Sequence, residues 1–457
     1  MKDKLQSLTI LVLLMTSVYL LFLNFDMDLR DIFTKTENTE EAISYSPQGL
    51  LEDAIKPDSL AINFGSDHHS LIANPLQDGY WTEIKEVIKT VFEDQGTDKV
   101  SLDSISEDIY SQLLQQRSIY MTFNQGLTTL TILNALKTQS TSDLVEQFPK
   151  IDSLYISLEK PLVVIKSQNK KTLLSFKSLP TEKLNIKVAN LFLEGYNPYS
   201  LGKNILGNQS LEYIPKISKH KIEKITYSNL VQDLDQETLE NIINKFFQKD
   251  LNLIREIKEE GVQTIYVDGE RILKINKQGL ISYYNPQIPK IKERNLYISL
   301  ETALSFISKN LGFEDSHYLK EIKPIEVNHN QGFKIVFGKT AGSYKVQVED
   351  ENIYDYLEID VFNNHVRRLA HYYRGPRDQR KEYVQVDESQ DLRPIIKKNL
   401  DQINNQLQKP QAWTYEQVLA NIQTASINYK DQGQDGPLDL YWHVAIAGQD
   451  FEFKIKH

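Results

Sequence analysis

The sequence contains no cysteine among its 457 residues. Disulfide cross-links and thiol catalysis are therefore excluded, and the commonest ligands of structural zinc are missing. After the amino-terminal segment, no stretch approaches the roughly 18 uninterrupted apolar residues of a membrane-spanning helix. The formal net charge is −10. This charge argues against nucleic-acid binding, which requires a basic surface, and against docking on anionic lipid.

Sequence motifs for catalysis are also missing. The chain has no phosphate-binding glycine loop, no His-Glu-x-x-His motif and no nucleophile elbow. Gly338-Lys339-Thr340 lacks the glycine spacing of a P-loop, and we predict a hairpin turn there. His68 and His69 would point to opposite faces of an extended segment and cannot share a metal ion, so we expect an exposed loop. The sequence therefore predicts a protein that is not an enzyme and holds no cofactor or metal.

A single apolar run, residues 5–25, dominates what the sequence does contain. As a helix it is about 31 Å long, which matches the hydrocarbon core of a bilayer. Lys2 and Lys4 precede the run and Asp26 and Asp28 follow it, so the positive-inside rule places the amino terminus in the cytoplasm. The run ends in bulky residues, unlike a signal-peptidase site. We predict an uncleaved single-pass anchor in the cell membrane with an extracytoplasmic body.

One face of this predicted helix is more polar than the rest of it. Spacings of three and four residues align Gln6, Thr9, Leu13, Thr16 and Leu20. In a bilayer, helices associate through close packing and through interhelical hydrogen bonds worth roughly 0.5–2 kcal/mol each. We therefore expect this stripe to contact a membrane partner. The alternative is a passive anchor in which the threonines bond to carbonyl groups of their own helix.

The pattern of apolar and turn-forming residues predicts an α+β protein built from several domains. The anchor leads through a polar stalk to mixed α/β domains, and the last two units each have one helix on an antiparallel sheet. The predicted segments are 1–25 (cytoplasmic tip and anchor), 26–57 (stalk), 58–150 (amino-terminal α/β domain), 151–290 (central domain with a β-meander), 291–373 (first helix-on-sheet unit), 374–410 (linker) and 411–457 (second unit).

Helix-capping residues support this segmentation. Ser299 is predicted to cap the helix of the first unit, and Thr414 with Gln417 forms a capping box for the second. A long amphipathic helix is predicted over residues 235–259.

The clearest β pattern is a three-stranded meander between residues 264 and 284. Asp268-Gly269 separates its first two strands, and a turn that ends at Gly279 separates the last two. Asp-Gly between apolar runs is typical of a hairpin because both residues accept a positive φ. We predict that Asp268, Gly269 and Gly279 are structural turn residues and not a binding site.

Tyrosine is the most abundant aromatic residue, with 24 copies. Tyr196, Tyr199, Tyr283 and Tyr284 are candidates for an aromatic groove that binds a polymer or a peptide. Because tyrosine is so frequent, chance proximity along the sequence is the simpler interpretation.

The meander resembles the YycH family of extracytoplasmic regulatory proteins from Gram-positive bacteria. The anchor, the chain length and the helix-then-sheet units at the carboxyl end resemble the family as well. Those units also resemble the PepSY-like fold shared by YycH and its companion YycI. The meander residues that carry the resemblance are Tyr266, Asp268, Gly269, Arg271, Leu273, Gly279 and Tyr283.

The resemblance implies a non-catalytic regulator of a sensor histidine kinase of the WalK type, which controls cell-wall metabolism, acting with a YycI-like protein. It supplies no catalytic residue. An alternative treats the PepSY-like units as inhibitors of an extracytoplasmic peptidase or as cell-wall ligand-binding modules. That alternative requires an exposed apolar patch or strand edge on residues 291–373 or 411–457.

Overall fold

The computed structural model describes residues 47–456, apart from residues 77–78, 94–98, 139–142, 169, 209, 249–253, 351–352, 354 and 378–380. No helix in this part of the chain is both long and apolar enough to cross a bilayer. The predicted anchor, including Gln6, Thr9, Leu13, Thr16 and Leu20, lies outside the described residues and stays a prediction.

The first half of the described chain forms a nine-stranded antiparallel sheet with helices packed against it. Its elements are α1 (Pro47–Ala54), β1 (Ser59–Gly65), β2 (His68–Ile72), α2 (Tyr80–Phe92), β3 (Lys99–Ser104), α3 (Glu107–Leu113), β4 (Ser118–Thr122), α4 (Thr129–Ala135), α5 (Asp143–Gln147), β5 (Ser153–Ser157), β6 (Leu162–Ser167), β7 (Lys170–Phe176), α6 (Glu182–Glu194), β8 (Tyr199–Leu201), α7 (Gly202–Leu206) and β9 (Tyr213–Pro215). The strands lie in the order β3-β7-β6-β5-β4-β1-β2-β8-β9.

The second half forms a larger sheet and two small ones. Its elements are β10 (Ile222–Lys224), β11 (Thr226–Asn229), α8 (Gln236–Phe247), β12 (Arg255–Glu259), β13 (Gln263–Asp268), β14 (Arg271–Asn276), β15 (Leu280–Tyr284), α9 (Leu296–Asn310), β16 (His317–Val327), β17 (Asn330–Ala341), β18 (Tyr344–Val348), β19 (Leu357–Phe362), β20 (His365–Tyr372), β21 (Arg374–Pro376), β22 (Glu382–Val384), α10 (Leu392–Lys398), α11 (Leu400–Leu407), α12 (Tyr415–Ala420), β23 (Ile422–Asp431), β24 (Gly436–Pro437), β25 (Asp439–Ile446) and β26 (Gln449–Lys454). Short 3₁₀ turns cover Ile217–Lys219 and Glu388–Gln390.

The larger sheet runs through both helix-on-sheet units. Its strand order is β12-β13-β14-β15-β20-β19-β17-β18-β23-β25-β26, with β16 beside β17. Strands β18 and β23 pair in parallel, whereas the other strand pairs described in this sheet are antiparallel. The two units therefore meet at one parallel pairing.

Several predicted segment limits do not match the chain's pairing. The division at residue 150 falls inside the first sheet, because β4 pairs with β5 along its whole length. The end of the predicted stalk is folded, since Leu50 and Leu51 of α1 are buried in the core. Helix α9 contributes to this burial, because it contacts α1 as well as α4, β17, β19 and β20.

The segment 374–410, predicted to be a linker, contains β21, β22, α10 and α11. It is not a linker, because its apolar side chains join the core of the second unit. Their helical spacing was obscured in the sequence by the many charged residues between them. The buried residues are Leu392, Ile395, Ile396, Ile403 and Leu407.

Three helix predictions have different outcomes. The capping box of Thr414 and Gln417 is confirmed. The first unit's helix begins before Ser299, because the side chain of Asn295 accepts the capping hydrogen bond, and Ser299 is buried. The helix predicted over residues 235–259 ends at Phe247, and its last residues instead form the edge strand β12.

A buried charge network crosses the joint between the two units. The Arg374 guanidinium binds the Asp431 carboxylate at 3.0 Å, and both side chains are 1% exposed. Tyr356 donates a hydrogen bond of 2.9 Å to Asp431. Lys339 Nζ donates to the Arg374 carbonyl at 3.0 Å and to Glu314 at 2.9 Å. Lys339 belongs to strand β17, which runs from Asn330 to Ala341. The predicted hairpin turn at Gly338-Lys339-Thr340 is therefore wrong.

Polar contacts also join the first sheet to the start of β16. The buried Lys56 ammonium donates to the Asp315 carbonyl at 2.9 Å and to Asn74 Oδ1 at 3.3 Å. Asn124 donates to the carbonyls of Leu319 and Lys320. Because three of these four hydrogen bonds end on backbone carbonyls near the start of β16, these polar side chains help to fix how the first sheet sits on the second half.

Asp431→Asn should destabilise the protein strongly. The substitution keeps the side-chain shape but removes the buried counter-charge of Arg374. The remaining carboxylate partner, Asp435, is 45% exposed, so the loss should approach the roughly 3–5 kcal/mol of breaking a buried pair. Asp439→Asn is the matched control: its partner Lys454 is 53% exposed, so it should cost at most about 1 kcal/mol. Urea unfolding of the full chain measures both values. Equal, small losses would contradict the assigned role of the buried pair.

Candidate functional site

The structure places the predicted turn residues in hairpins of the meander. Asp268 is the last residue of β13 and pairs with Arg271 across the turn. The two loop residues are therefore Gly269 and Glu270. Only Gly269 has a positive φ, +60°, which is the pattern of a type II′ turn and not of the type I′ turn typical of Asp-Gly.

Gly279 has two separate reasons to be glycine. Its φ is +98°, and a Cβ atom there would lie 2.8 Å from Oδ1 of Asn229. The Asn229 amide donates to the Lys277 carbonyl of the same turn at 2.6 Å. The turn therefore anchors the meander to β11, and none of these contacts provides a reactive group.

The neighbouring histidines His68 and His69 lie on β2 and not in the expected loop. They do occupy opposite faces: His68 is exposed, while His69 is fully buried and bonds Asn63 Oδ1 at 2.7 Å. Burial lowers the pKa of His69 to about 4. Across the described ranges, no group of three metal-ligating side chains is close enough to hold a metal ion.

A second histidine pair is buried beside the charge network. The rings of His317 and His371 lie edge to face with centroids 6.1 Å apart. Neither ring nitrogen of His371 has a hydrogen-bond partner, and His317 Nε2 also lacks one. Burial, reinforced by the nearby Lys339 ammonium, lowers the pKa of both histidines well below the usual value.

This pair predicts a pH-dependent stability. Unfolding frees each imidazole to bind a proton below about pH 6.5, whereas the folded state keeps it neutral. Stability should therefore fall as the pH falls below 6.5, by up to about 1.4 kcal/mol per pH unit for each histidine. His371→Leu should reduce the loss between pH 6 and pH 5 by about that amount, with little change at pH 7.5. Urea unfolding across this range measures it, and an unchanged pH slope would contradict the assignment.

An exposed cluster of apolar and aromatic side chains lies where α6 meets β1 and β2. We call Phe64, His68, Phe192, Leu193 and Tyr196 the aromatic surface. Phe64 lies 5.3 Å from Phe192 and 4.4 Å from Tyr196 between ring centroids, and His68 Nδ1 bonds the Tyr196 hydroxyl at 2.9 Å. Phe192 is 48% exposed and Leu193 is 82% exposed. A fixed aromatic cluster that remains open to solvent is typical of a protein-contact surface.

The local sequence explains why these side chains are exposed. Helix α6 turns Leu184 and Val188 inward, where they pack in the main core. The helix ends at Gly195, whose φ is +97°, and the chain then turns so that Tyr196 stacks against Phe192 at 5.9 Å. Tyr283 instead packs on Phe246 and Phe306 in the interior, so the candidate tyrosines do not form one groove.

A cavity of about 410 Å³ lies between the first sheet and the joint of β18 with β23. We call it the cleft. One wall comes from β1, β2, β4, β8 and β9, and the other from Ser343–Lys345 and Thr424–Asn428. A shallower depression of about 340 Å³ shares Leu71, Ile72 and Ser343 with the cleft and extends to Tyr196 of the aromatic surface. The two features therefore adjoin on one side of the molecule.

The cleft contains charged groups in an unusual setting. Burial raises the pKa of Asp58 to about 6, against the opposing attraction of Lys345. Burial lowers the pKa of Lys345, whose ammonium lies 4.5 Å from the centre of the Tyr318 ring. Burial also raises the pKa of Glu212. Sequence reasoning missed these residues because Asp58 and Lys345 lie 287 positions apart and belong to no motif.

Comparisons with known proteins support the fold-level resemblance. No protein-family model and no curated protein sequence matches the chain. The crystal structure of YycH from Bacillus subtilis is similar with a TM-score of 0.51, at 10% identity, over 88% of this chain and 96% of that one. An uncharacterized protein from Eubacterium rectale gives a TM-score of 0.30 at 10% identity, over 52% of this chain and 82% of that one. The second value is too low to carry an argument, whereas the first shows a YycH-like fold.

Proposed function

We propose that this chain is a non-catalytic regulator of a WalK-type sensor histidine kinase that acts with a YycI-like protein. In this proposal, residues 5–25 anchor it in the cell membrane and the body lies outside the cell. The observation that carries the proposal is the YycH-like fold, which extends over 88% of the chain. The family that the meander resembles works by regulation and not by catalysis, so the body needs a contact surface and no reaction centre.

The aromatic surface is the part of the body that best suits this role. Large exposed aromatic and aliphatic side chains contribute most when they are buried against a partner. Phe192 and Leu193 are available for this because they lie on the outer face of α6. His68 and Tyr196 supply polar groups at the edge of the same surface.

The alternative function receives less support. Inhibition of a peptidase, or binding of a cell-wall ligand, by the PepSY-like units calls for an exposed apolar patch or a strand edge there. The edge strand β26 of the second unit provides a strand edge, but the described part of these units lacks an exposed apolar patch. Among the described residues, every large apolar side chain that is exposed lies outside residues 291–373 and 411–456. The genes that flank this one also separate the two functions, since a histidine kinase and a response regulator upstream favour the regulator.

Phe192→Ser with Leu193→Ser should weaken capture of the kinase or of the YycI-like protein at least tenfold. The side chains are exposed, so the folded body should keep its melting midpoint. The matched control is Ile109→Ser with Leu130→Ser, which removes two exposed apolar residues elsewhere. Co-purification from membranes and a reporter gene under the control of the kinase provide the readouts. Unchanged capture and unchanged reporter output would contradict this surface.

The anchor stripe is tested separately. Replacing Gln6, Thr9 and Thr16 together with Leu should preserve membrane insertion but reduce co-purification with the kinase or the YycI-like protein severalfold, because interhelical hydrogen bonds are lost. The matched control replaces Ser7 and Tyr19 with Leu, since their spacing places them off the stripe. If the triple variant co-purifies and regulates as the unmodified chain does, the helix is a passive anchor.

A further inference from the structure

The larger sheet ends in a strand whose side chains are open to solvent. Strand β12 (Arg255–Glu259) pairs with β13 on one side, and on its other side no strand of the described chain pairs with it. All five of its residues are exposed. A free strand edge presents backbone N–H and carbonyl groups that a further extended strand can satisfy. The side chains of β12 therefore decide whether this edge repels or accepts another strand.

The order of charges along β12 favours pairing with a second copy of the same strand. The strand reads Arg-Glu-Ile-Lys-Glu, with Ile257 at its centre. When two copies pair antiparallel about Ile257, Arg255 lies opposite Glu259 of the second copy. Glu256 then lies opposite Lys258 of the second copy. Every charged residue of the strand faces an opposite charge, which stabilises cross-strand pairs.

The same charges disfavour the other ways of pairing two copies. A shift of one residue in either direction places Arg255 opposite Lys258, or Glu256 opposite Glu259. A shift of two residues places Glu256, or Lys258, opposite its own counterpart. Like charges directly opposite each other are destabilising. Of the antiparallel registers that pair at least three residues of β12, only the one centred on residue 257 avoids them, so the charges select one pairing.

The side chains at the centre of β12 are available for this contact. Ile257 is 36% exposed, and in the selected register it meets Ile257 of the second copy. Lys258 lies 3.4 Å from Glu256 of its own strand, with side chains 70% and 39% exposed. Because a carboxylate accepts several hydrogen bonds, this local pair does not prevent a contact across the edge.

The expected dimer is a weak one. Five residues of strand span about 17 Å, so their pairing buries far less than the roughly 1,600 Å² of a standard protein interface. Confinement of both copies to one membrane, as the proposed anchor provides, raises their effective concentration. The contact should therefore be sought with the full chain in membranes.

We propose that β12 is a homodimer contact, in which two copies of the chain pair antiparallel about Ile257 and join their larger sheets. The same five residues come from both copies, so the contact has two-fold symmetry and closes at two. It goes beyond the proposed regulatory function, which requires no second copy, and it does not involve the aromatic surface.

The test uses the absence of cysteine from the chain. Residues directly opposite in an antiparallel pair have Cα atoms about 4.5–5.5 Å apart, within the range of a disulfide. Full chains with Ile257→Cys are oxidised in membranes with copper phenanthroline. Val262→Cys is the matched control: Val262 is 58% exposed in the same hairpin, but it would lie roughly 30 Å from its counterpart in the dimer.

A second comparison tests the register. Arg255→Cys or Glu259→Cys alone places the two thiols about 14 Å apart along the paired strands, too far for a disulfide. A mixture of the two variants, carrying different tags, places the thiols directly opposite each other. The mixture should therefore form a disulfide between differently tagged chains, whereas each variant alone should not.

A third comparison tests the charges in chains that carry Ile257→Cys. Lys258→Glu places two carboxylates opposite each other, and adding Glu256→Lys to it restores opposite charges. Lys160→Glu is the matched control, a charge reversal at an exposed position outside β12. Because all these side chains are exposed, the variants should keep their melting midpoint within a few degrees.

The proposal expects Ile257→Cys to form linked dimers at least tenfold faster than Val262→Cys. Lys258→Glu should slow this linkage at least fivefold, the combined charge exchange should restore most of it, and Lys160→Glu should leave it unchanged. The proposal is overturned if Ile257→Cys links no faster than Val262→Cys, if the charge exchange restores nothing, or if position 257 links to a different protein in place of a second copy. Kinase capture by Lys258→Glu reports on the proposed regulatory function separately.

Discussion

The parallel pairing of β18 with β23 is the constraint on which the second half of the molecule depends. It joins the sheet of the first helix-on-sheet unit to that of the second. Every other connection between these units must adapt to it, because a strand pairing fixes both direction and register. The pairing covers only the end of β23, and the cleft results directly from that short overlap.

The charges near this joint are buried for the same reason. Arg374 and Asp431 are both buried where the two units meet and pair with each other, and Arg374 also pairs with the partly exposed Asp435. Lys339 extends the network toward Glu314 and the histidine pair. A buried pair of this kind need not increase stability compared with apolar residues, but losing one member is costly. The network joins buried groups from both units, and the aromatic surface lies outside it.

Much of the fold follows from local sequence patterns. The meander, the helix near residues 415–420 and the YycH-like fold were predictable from periodicity, capping residues and the meander motif. The β16–β17 hairpin was not, because Pro324 interrupts the strand pattern and β16 lies outside the main strand order, where proline is tolerated. Its turn residues Asn328 and His329 both have a positive φ. Asparagine and histidine accept this conformation more readily than most residues, so this dipeptide was the sequence signal for a turn. The candidate site could not be predicted, because the aromatic surface and the cleft combine residues that only the sheet topology brings together.

The proposed regulator needs a body that touches its partner while the anchor holds it at the membrane. The most direct test places the photo-cross-linker p-benzoylphenylalanine at position 192 in the full chain, expressed in cells that contain the kinase and the YycI-like protein. The account predicts that irradiation links this position to one of those two proteins, whereas the same group at position 130 gives no such product. Equal products from the two positions, or none from position 192, would contradict the account.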